Sequence, residues 1–398
     1  MLIRLDDPRF AAPAVRDCAR VLAAVLNGAA SSRPQLVEQL GLRSTTVSRL
    51  VAELVGRRLL LETAGEKLGR GRPAAILLAN PRGLGVSVLR VASRTVVGVL
   101  VDMAGRVLER CARPVGPDAD NRAMAAVLAD VAQRLRAAVP RGMTHAGTSV
   151  SVAGLVEVRS GQWLVSSRWP RINRLDIPAA LNAVAPPVLV MRQLEAELQA
   201  RIAATPERHA GGSLLLHWGW GIGLAYAVNG ETFNAAGGPF GEIGHWRFDA
   251  LAGRPCGCGN TGCLETGAAL WALLPELQAQ WPDLVEDEAR LAEQFPGLDL
   301  LARPAMAAAT GLVARALANL CRLLFPERIL VSGPLAANAA YWARFDAVFR
   351  QEGLLRGLSL PPLVHEPASE TLGIHGAAEP LLTRAVERML HGGAAPLS

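Results

Sequence analysis

The sequence predicts an α/β protein in two parts, a small basic helical module over residues 1–75 and a larger two-lobed body over residues 84–392. Two observations lead there. From Gly85 onward, short runs rich in β-branched residues alternate with helix-length apolar periodicity, the mixed order of two similar α/β lobes with a cleft between them. Charge divides the chain at the same place. Residues 1–73 hold twelve Lys/Arg against seven Asp/Glu, which is five of the six net positive charges of the 398-residue chain. A basic segment on a nearly neutral body is the distribution expected of a nucleic-acid-binding module joined to a separate sensor or enzyme.

In the amino-terminal module, Val15, Cys18, Val21, Leu22, Val25 and Leu26 recur at helical spacing, and Asn27-Gly28 stops that helix. A second helix opens near Ser32-Arg33-Pro34, with Ser32 placed to cap it, and buries Leu36, Val37 and Leu40 before Gly41 ends it. After the turn Gly41-Leu42-Arg43, a third helix capped by Ser44 buries Val47, Leu50, Val51 and Leu54. It turns Thr45, Thr46, Ser48 and Arg49 outward. Two helices joined by a tight glycine turn, the second with a small polar outer face, fit a helix-turn-helix whose second helix enters the major groove of double-stranded DNA. A three-helix subdomain with a solvated face fits that pattern equally well. What favours a DNA reader is the next segment. Leu59-Leu60-Leu61-Glu62, a turn through Ala64-Gly65-Glu66 and a basic return over Lys67–Pro73 make a wing, with Arg70 and Arg72 at its slim cationic tip. An Arg-Gly linker is the competing reading of that return.

In the body, Val86–Val101 reads as a hairpin, Ala123–Val139 and Leu194–Ala204 as helices, and Thr148–Val156 and Pro187–Met191 as strands. Leu214–Leu216 and Leu224–Val228 flank a glycine-rich turn, and the helix Ala305–Leu324 precedes the strand Ile329–Ser332. Apolar runs stay short, as in Val96–Val101 before Asp102, and no hydrophobic amino-terminal segment stands out, so a soluble, cytoplasmic protein with reduced thiols is expected.

The densest chemistry lies in residues 241–265. Gly241-Glu242-Ile243-Gly244-His245 is followed by Cys256, Cys258 and Cys263, a His-x10-Cys-x-Cys-x4-Cys pattern with glycines between the thiols. One imidazole and three thiolates make a closed tetrahedral set for one structural Zn2+, with no position left for a catalytic water. A disulfide or a group of inert thiols is the alternative, disfavoured by the spacing and the odd count. Cys18, Cys111 and Cys321 sit among apolar residues and read as core thiols.

This segment resembles the signature of the ROK family, which groups bacterial sugar kinases with sugar-responsive repressors. Carried over, the resemblance implies a metal set of His245, Cys256, Cys258 and Cys263 and a sugar-binding set of Glu242, His245 and Glu265. The other role open to the two glutamates is to brace the metal loop. Residues Val15–Pro73 are similar to the winged helix-turn-helix of ROK repressors. The body, residues 84–392, is similar to their two-lobed actin/hexokinase-like domain.

Measured against that family, the kinase chemistry is missing. The first phosphate turn, Asp-x-Gly-Gly-Thr, is replaced by Arg90-Val91-Ala92-Ser93-Arg94-Thr95, and the second survives only as Gly219-Trp220-Gly221-Ile222-Gly223. The Asn-Asp that carries the general base is Arg192-Gln193, and neither side chain is a useful base at neutral pH. The family's sugar-binding asparagine before Leu-Pro falls in Ser166-Ser167-Arg168-Trp169-Pro170. Arg168 and Arg192 near the cleft suit an anionic sugar derivative; alternatively they pair with Glu242 and Glu265 and close it. The resemblance therefore implies a DNA-binding transcriptional repressor with no catalytic residues, a homodimer or homotetramer, answering to a sugar-type effector. A carbohydrate kinase carrying a DNA reader is the alternative, and a body serving only oligomerisation is a third reading.

Overall fold

A computed structural model of the chain describes residues 3–5, 10–64, 75–233 and 240–392. The first three helices are α1 (Pro13–Leu26), α2 (Arg33–Leu40) and α3 (Ser44–Gly56). Each keeps the apolar face the periodicity foretold, with Val15, Leu22, Leu36, Val47, Leu50 and Leu54 buried. Gly41 ends α2 at φ 65°, a left-handed position where glycine carries no Cβ penalty. The caps differ from expectation. Ser32 occupies the cap position of α2 without a side-chain bond, and Gln35 instead accepts from the Ser31 amide at 2.8 Å. Ser44 is the first residue of α3 and not its cap, which falls to Arg43 with no capping side chain.

β1 (Leu60–Ala64) pairs antiparallel with β2 (Ala75–Ala79), Leu60 opposite Ala79. The described return strand is thus an apolar one, anchored by buried Leu77. The basic segment Lys67–Pro73, with Arg70 and Arg72, lies outside the described residues.

The body is a repeat. Its first half runs β3 (Leu84–Ala92), β4 (Thr95–Asp102), β5 (Val107–Pro114), α4 (Asn121–Ala137) and β6 (Thr144–Val152). A small antiparallel sheet follows, made of β7 (Leu155–Glu157), β8 (Gln162–Val165) and β9 (Leu175–Asp176), then α5 (Ile177–Leu181), β10 (Val188–Arg192) and α6 (Gln193–Ala204). The second half runs β11 (Ser213–Trp218), β12 (Ile222–Val228), β13 (Glu231–Thr232), α7 (Glu265–Ala268), α8 (Leu270–Gln280) and α9 (Glu288–Gln294). It ends with α10 (Pro304–Leu324), β14 (Arg328–Ser332), α11 (Ala339–Glu352), β15 (Leu363–His365) and α12 (Glu370–Leu390).

The two large sheets have strand orders β5-β4-β3-β6-β10 and β13-β12-β11-β14-β15. Numbered within each half, both read 3-2-1-4-5, with the first three strands antiparallel and the last two parallel to the first. The closing helices are exchanged. α6 lays Leu198 and Ile202 on Leu215, Ala225 and Leu330 of the second sheet. α12 lays Ile374, Ala377 and Leu381 on Val86, Val88 and Val99 of the first. α10 has the length and apolarity of a membrane-crossing helix, but half of its apolar window is buried, and Met306, Val313 and Leu317 pack in the core of the second lobe.

One apolar core joins the module to the body. Ile3, Leu5 and Phe10, the inner faces of α1 and α3, and residues Leu381 to Leu390 of α12 form a continuous cluster. The Arg4 amide donates to Thr383 Oγ1 at 3.3 Å, and that hydroxyl donates to Glu379 at 2.6 Å.

Candidate DNA reader, metal centre and interlobe cleft

On α3, Ser44, Thr45 and Arg49 are exposed and Thr46 and Ser48 half-buried, so the polar face expected to read DNA does face outward. Arg49 is held loosely, 3.4 Å from Glu53 one helical turn on. A residue the sequence reading passed over orients this face. Arg33 of α2 makes a two-pronged bond to Glu62 of β1 at 2.8 and 2.9 Å and also donates to the Ser48 carbonyl, tying α2, α3 and the wing strand together. The Arg33 bond holds the Glu62 carboxyl below its ordinary range.

The metal residues converge as their spacing predicts. A tight turn over Ile243–His245 presents the imidazole, while Gly259 and Gly262 adopt φ 90° and 76° and let the thiols face inward. His245 Nδ1 lies 3.6 Å from Cys256 Sγ, Cys258 Sγ lies 3.7 Å from Cys263 Sγ, and all four ligand atoms fall within 4.8 Å of one another. Sulfurs bound to one tetrahedral ion at ~2.3 Å sit ~3.8 Å apart, so the donor set fits a metal of that size and preference. Burial, and then the neighbouring Cys258 and Cys256, push the Cys263 thiol up to about 12, and a bound cation would favour its thiolate. Asn260 Nδ2 donates to Cys258 Sγ at 3.6 Å, a supporting contact of the sort that orients thiolate ligands. Of the remaining cysteines, Cys18 and Cys321 are buried as expected and Cys111 is half-buried.

The five proposed ligand residues of the cleft fall into separate groups, with His245 among the three cysteines of the metal set. Arg192 ends β10 and is 5% exposed; its guanidinium reaches Glu242 at 2.9 Å and Glu195 at 3.3 Å. Burial pushes both carboxyls up, and Arg192 offsets part of that rise. Glu265 accepts from the Ile222 amide at 2.8 Å and the Trp271 indole at 3.1 Å. It thereby fastens the metal loop to the glycine turn, where a Cβ at Gly221 or Gly244 would press on its carboxylate.

Arg168 stands elsewhere. Its guanidinium lies 4.5 Å above the Trp220 ring and donates to Glu288 Oε1 at 3.3 Å and to the Glu286 carbonyl. Glu288 also accepts from the Trp220 amide at 2.7 Å and faces His217 Nε2 at 3.0 Å, while His217 Nδ1 meets Ser332 Oγ at 3.1 Å. Burial alone would push Glu288 up, but His217, Arg168 and the Trp220 amide together hold it at about 2. Arg94, at the β3–β4 turn, closes the group by donating to the Arg168 carbonyl and pairing with Glu286 at 3.1 Å. Side chains from both lobes thus bridge the β3–β4 turn and the turn at Trp220. Neither His217 nor Glu288 was singled out from the sequence, because nothing in their spacing marks two residues 71 positions apart as a pair.

The chain matches the ROK family over residues 89–383. It is similar to the putative xylose repressor of Caldicellulosiruptor sp. (strain Rt8B.4), 26% identical over 287 residues that cover 67% of each chain. It is also similar to the DNA-binding transcriptional repressor Mlc of Escherichia coli (strain K12), 22% identical over 81% of this chain and 82% of that one. Among solved structures, a ROK family transcriptional regulator homologous to Mlc aligns over 95% of this chain and 97% of its own with a TM-score of 0.69 at 22% identity. The ROK hexokinase of Thermus thermophilus aligns over 76% of this chain and 98% of its own, with a TM-score of 0.57 at 26% identity. Because the family match runs through both lobes and the metal loop, the chain belongs to the ROK family.

Proposed function

We propose that this ROK protein is a DNA-binding transcriptional repressor, acting in the cytoplasm as a homodimer or homotetramer, that answers to a sugar or sugar derivative and transfers no phosphoryl group. The observation that carries the reading is the outward polar face of α3 on a module whose core is continuous with α12. Thr45, Thr46, Ser48 and Arg49 are assigned to the major groove and Arg70 and Arg72 to the wing. The names of the relatives, a xylose repressor and Mlc, support the same assignment.

Arg192 supports the loss of phosphoryl transfer. It stands where the base is needed, cannot accept a proton, and is committed to Glu242 and Glu195. The Arg94–Arg168–Glu288 group links the β3–β4 turn to the turn at Trp220, the two segments the resemblance aligns with the kinases' phosphate turns, which supports the same loss. His245, Cys256, Cys258 and Cys263 are assigned one structural Zn2+, which would cross-link the loop carrying Glu242 and Glu265.

Selection of genomic DNA fragments by the purified chain, followed by binding titrations at several salt concentrations, tests the reading. A discrete set of operators bound in the nanomolar range, with ATP and a panel of hexoses left unconverted, is expected. Turnover of any hexose, or binding that depends on salt alone and not on sequence, overturns it.

A further inference from the structure

Arg90 is the first residue of the run that stands in place of the kinases' Asp-x-Gly-Gly-Thr turn, so the chain carries a cation where that turn has a carboxylate. Its side chain is half-buried, its Nε is buried without a partner, and among the described residues Arg90 makes no hydrogen bond or ion pair. The carboxylates that face it come from three elements, and each already holds another cation. Glu370 of α12 pairs with Arg110 at 2.6 Å, Glu197 of α6 with Arg201 at 2.8 Å, and Glu288 of α9 with Arg168 and His217. A buried guanidinium nitrogen without a partner is costly, because its hydration is lost and nothing replaces it.

Two further features mark the space beside it. Ser151 lies opposite Arg90 in the β3–β6 register, is 1% exposed, and its hydroxyl is also without a partner. Gly373, in the opening turns of α12, leaves a gap in which an added Cβ would touch only Arg90 Nε, at 3.8 Å. The amino-terminal end of this 21-residue helix favours negative charge and already carries Glu370, while Ser369 caps it by accepting from the Leu372 amide at 3.3 Å through Oγ and from the Gly373 amide at 3.1 Å through its carbonyl.

We infer that Arg90, Ser151 and the opening turns of α12 form a subsite for the oxyanion of a small ligand, a phosphate or carboxylate group on the effector. The ligand supplies the counter-charge the chain withholds. Since α12 reaches the reader at its far end through Thr383 and Leu390, occupancy at Gly373 bears on the orientation of the DNA-binding module through one helix, which carries Pro380 in its interior. This deepens the repressor reading and rests on it for the regulatory step alone.

The test is calorimetric titration of the full chain with inorganic phosphate, glucose 6-phosphate, gluconate and uncharged glucose, repeated on Arg90→Gln, Arg90→Lys and Ser151→Ala. At least one of the charged probes is expected to bind at least tenfold more tightly than glucose. Arg90→Gln should lose that preference, Arg90→Lys keep most of it, and Ser151→Ala weaken it. Without ligand, Arg90→Gln should melt no lower than the parent, since it removes an unpaired charge. The inference is overturned if no charged probe binds at millimolar concentration, if Arg90→Gln keeps the preference, or if its ligand-free form melts several degrees lower, as loss of a structural ion pair would cause. Operator binding by the parent, measured separately without ligand, isolates the repressor reading. Operator binding without anion binding sinks only the subsite, whereas loss of operator binding sinks the repressor.

Discussion

Gly376 of α12 rests on the backbone of Ala196 in α6, so closely that a Cβ at position 376 would overlap the Ala196 carbonyl oxygen. This is where the two exchanged helices cross, and the obstacle is main chain, which cannot rotate aside. Gly376→Ala is therefore expected to force the helices apart and destabilise the protein by about 1–3 kcal/mol, despite alanine's better helix propensity. Urea denaturation would register this as a lower midpoint; an unchanged or higher midpoint would show that the crossing is slack.

The metal loop makes a second prediction. Elemental analysis of purified protein should find one zinc per chain, and Cys258→Ser should reduce it well below one and lower the melting temperature. The reduction follows because a structural metal contributes its binding energy to folding. Parent protein that purifies with well under one zinc per chain, or a Cys258→Ser variant that melts with the parent, would remove zinc from the account.

For the reader, Arg49→Ala should weaken operator binding by roughly 1–3 kcal/mol and relax preference at one base position if it contacts a base. Arg72→Ala should weaken binding to all sequences alike and reduce the log–log salt slope by about 0.9, the effect of one lost phosphate contact. Equal salt slopes for Arg72→Ala and parent would move the wing off the DNA.

The interlobe group depends on pH in a direction its charges fix. Burial by itself would lower His217 below its ordinary value near 6.5, but Glu288 more than offsets it and leaves the imidazole raised. A raised folded value means the His217 contribution is complete below about 6.5 and is lost as pH rises through the folded value. Glu288, held at about 2, contributes above the ordinary carboxylate range and loses that contribution as pH falls towards 2. Melting temperature should thus show a component that declines on the alkaline side of pH 6.5 in the parent and is missing in His217→Gln. A variant that keeps the same alkaline decline would place its origin elsewhere.

Local signals carried much of this molecule. The first three helices, the glycine stop at Gly41 and the convergence of His245, Cys256, Cys258 and Cys263 all follow from spacing within short windows, because neighbouring residues alone decide them. What escaped depended on residues distant in the chain. The Arg33–Glu62 buttress, the His217–Glu288 pair and the exchange of α6 and α12 join segments whose proximity only the fold creates. The apparent independence of the basic module misled for the same reason. Its charge sets it apart, yet its apolar faces share a core with α12, so deleting residues 1–73 would uncover part of that helix.

The exchange of closing helices also orders events during synthesis. Residues 84–192 emerge with their five strands complete, but the face of the first sheet that α12 covers stays open until the last helix, ending at Leu390, leaves the ribosome. The same helix completes the packing beneath the DNA reader. A chain that stops short of α12 therefore has neither a finished first lobe nor a seated reader, and both are completed by the same last stretch of synthesis.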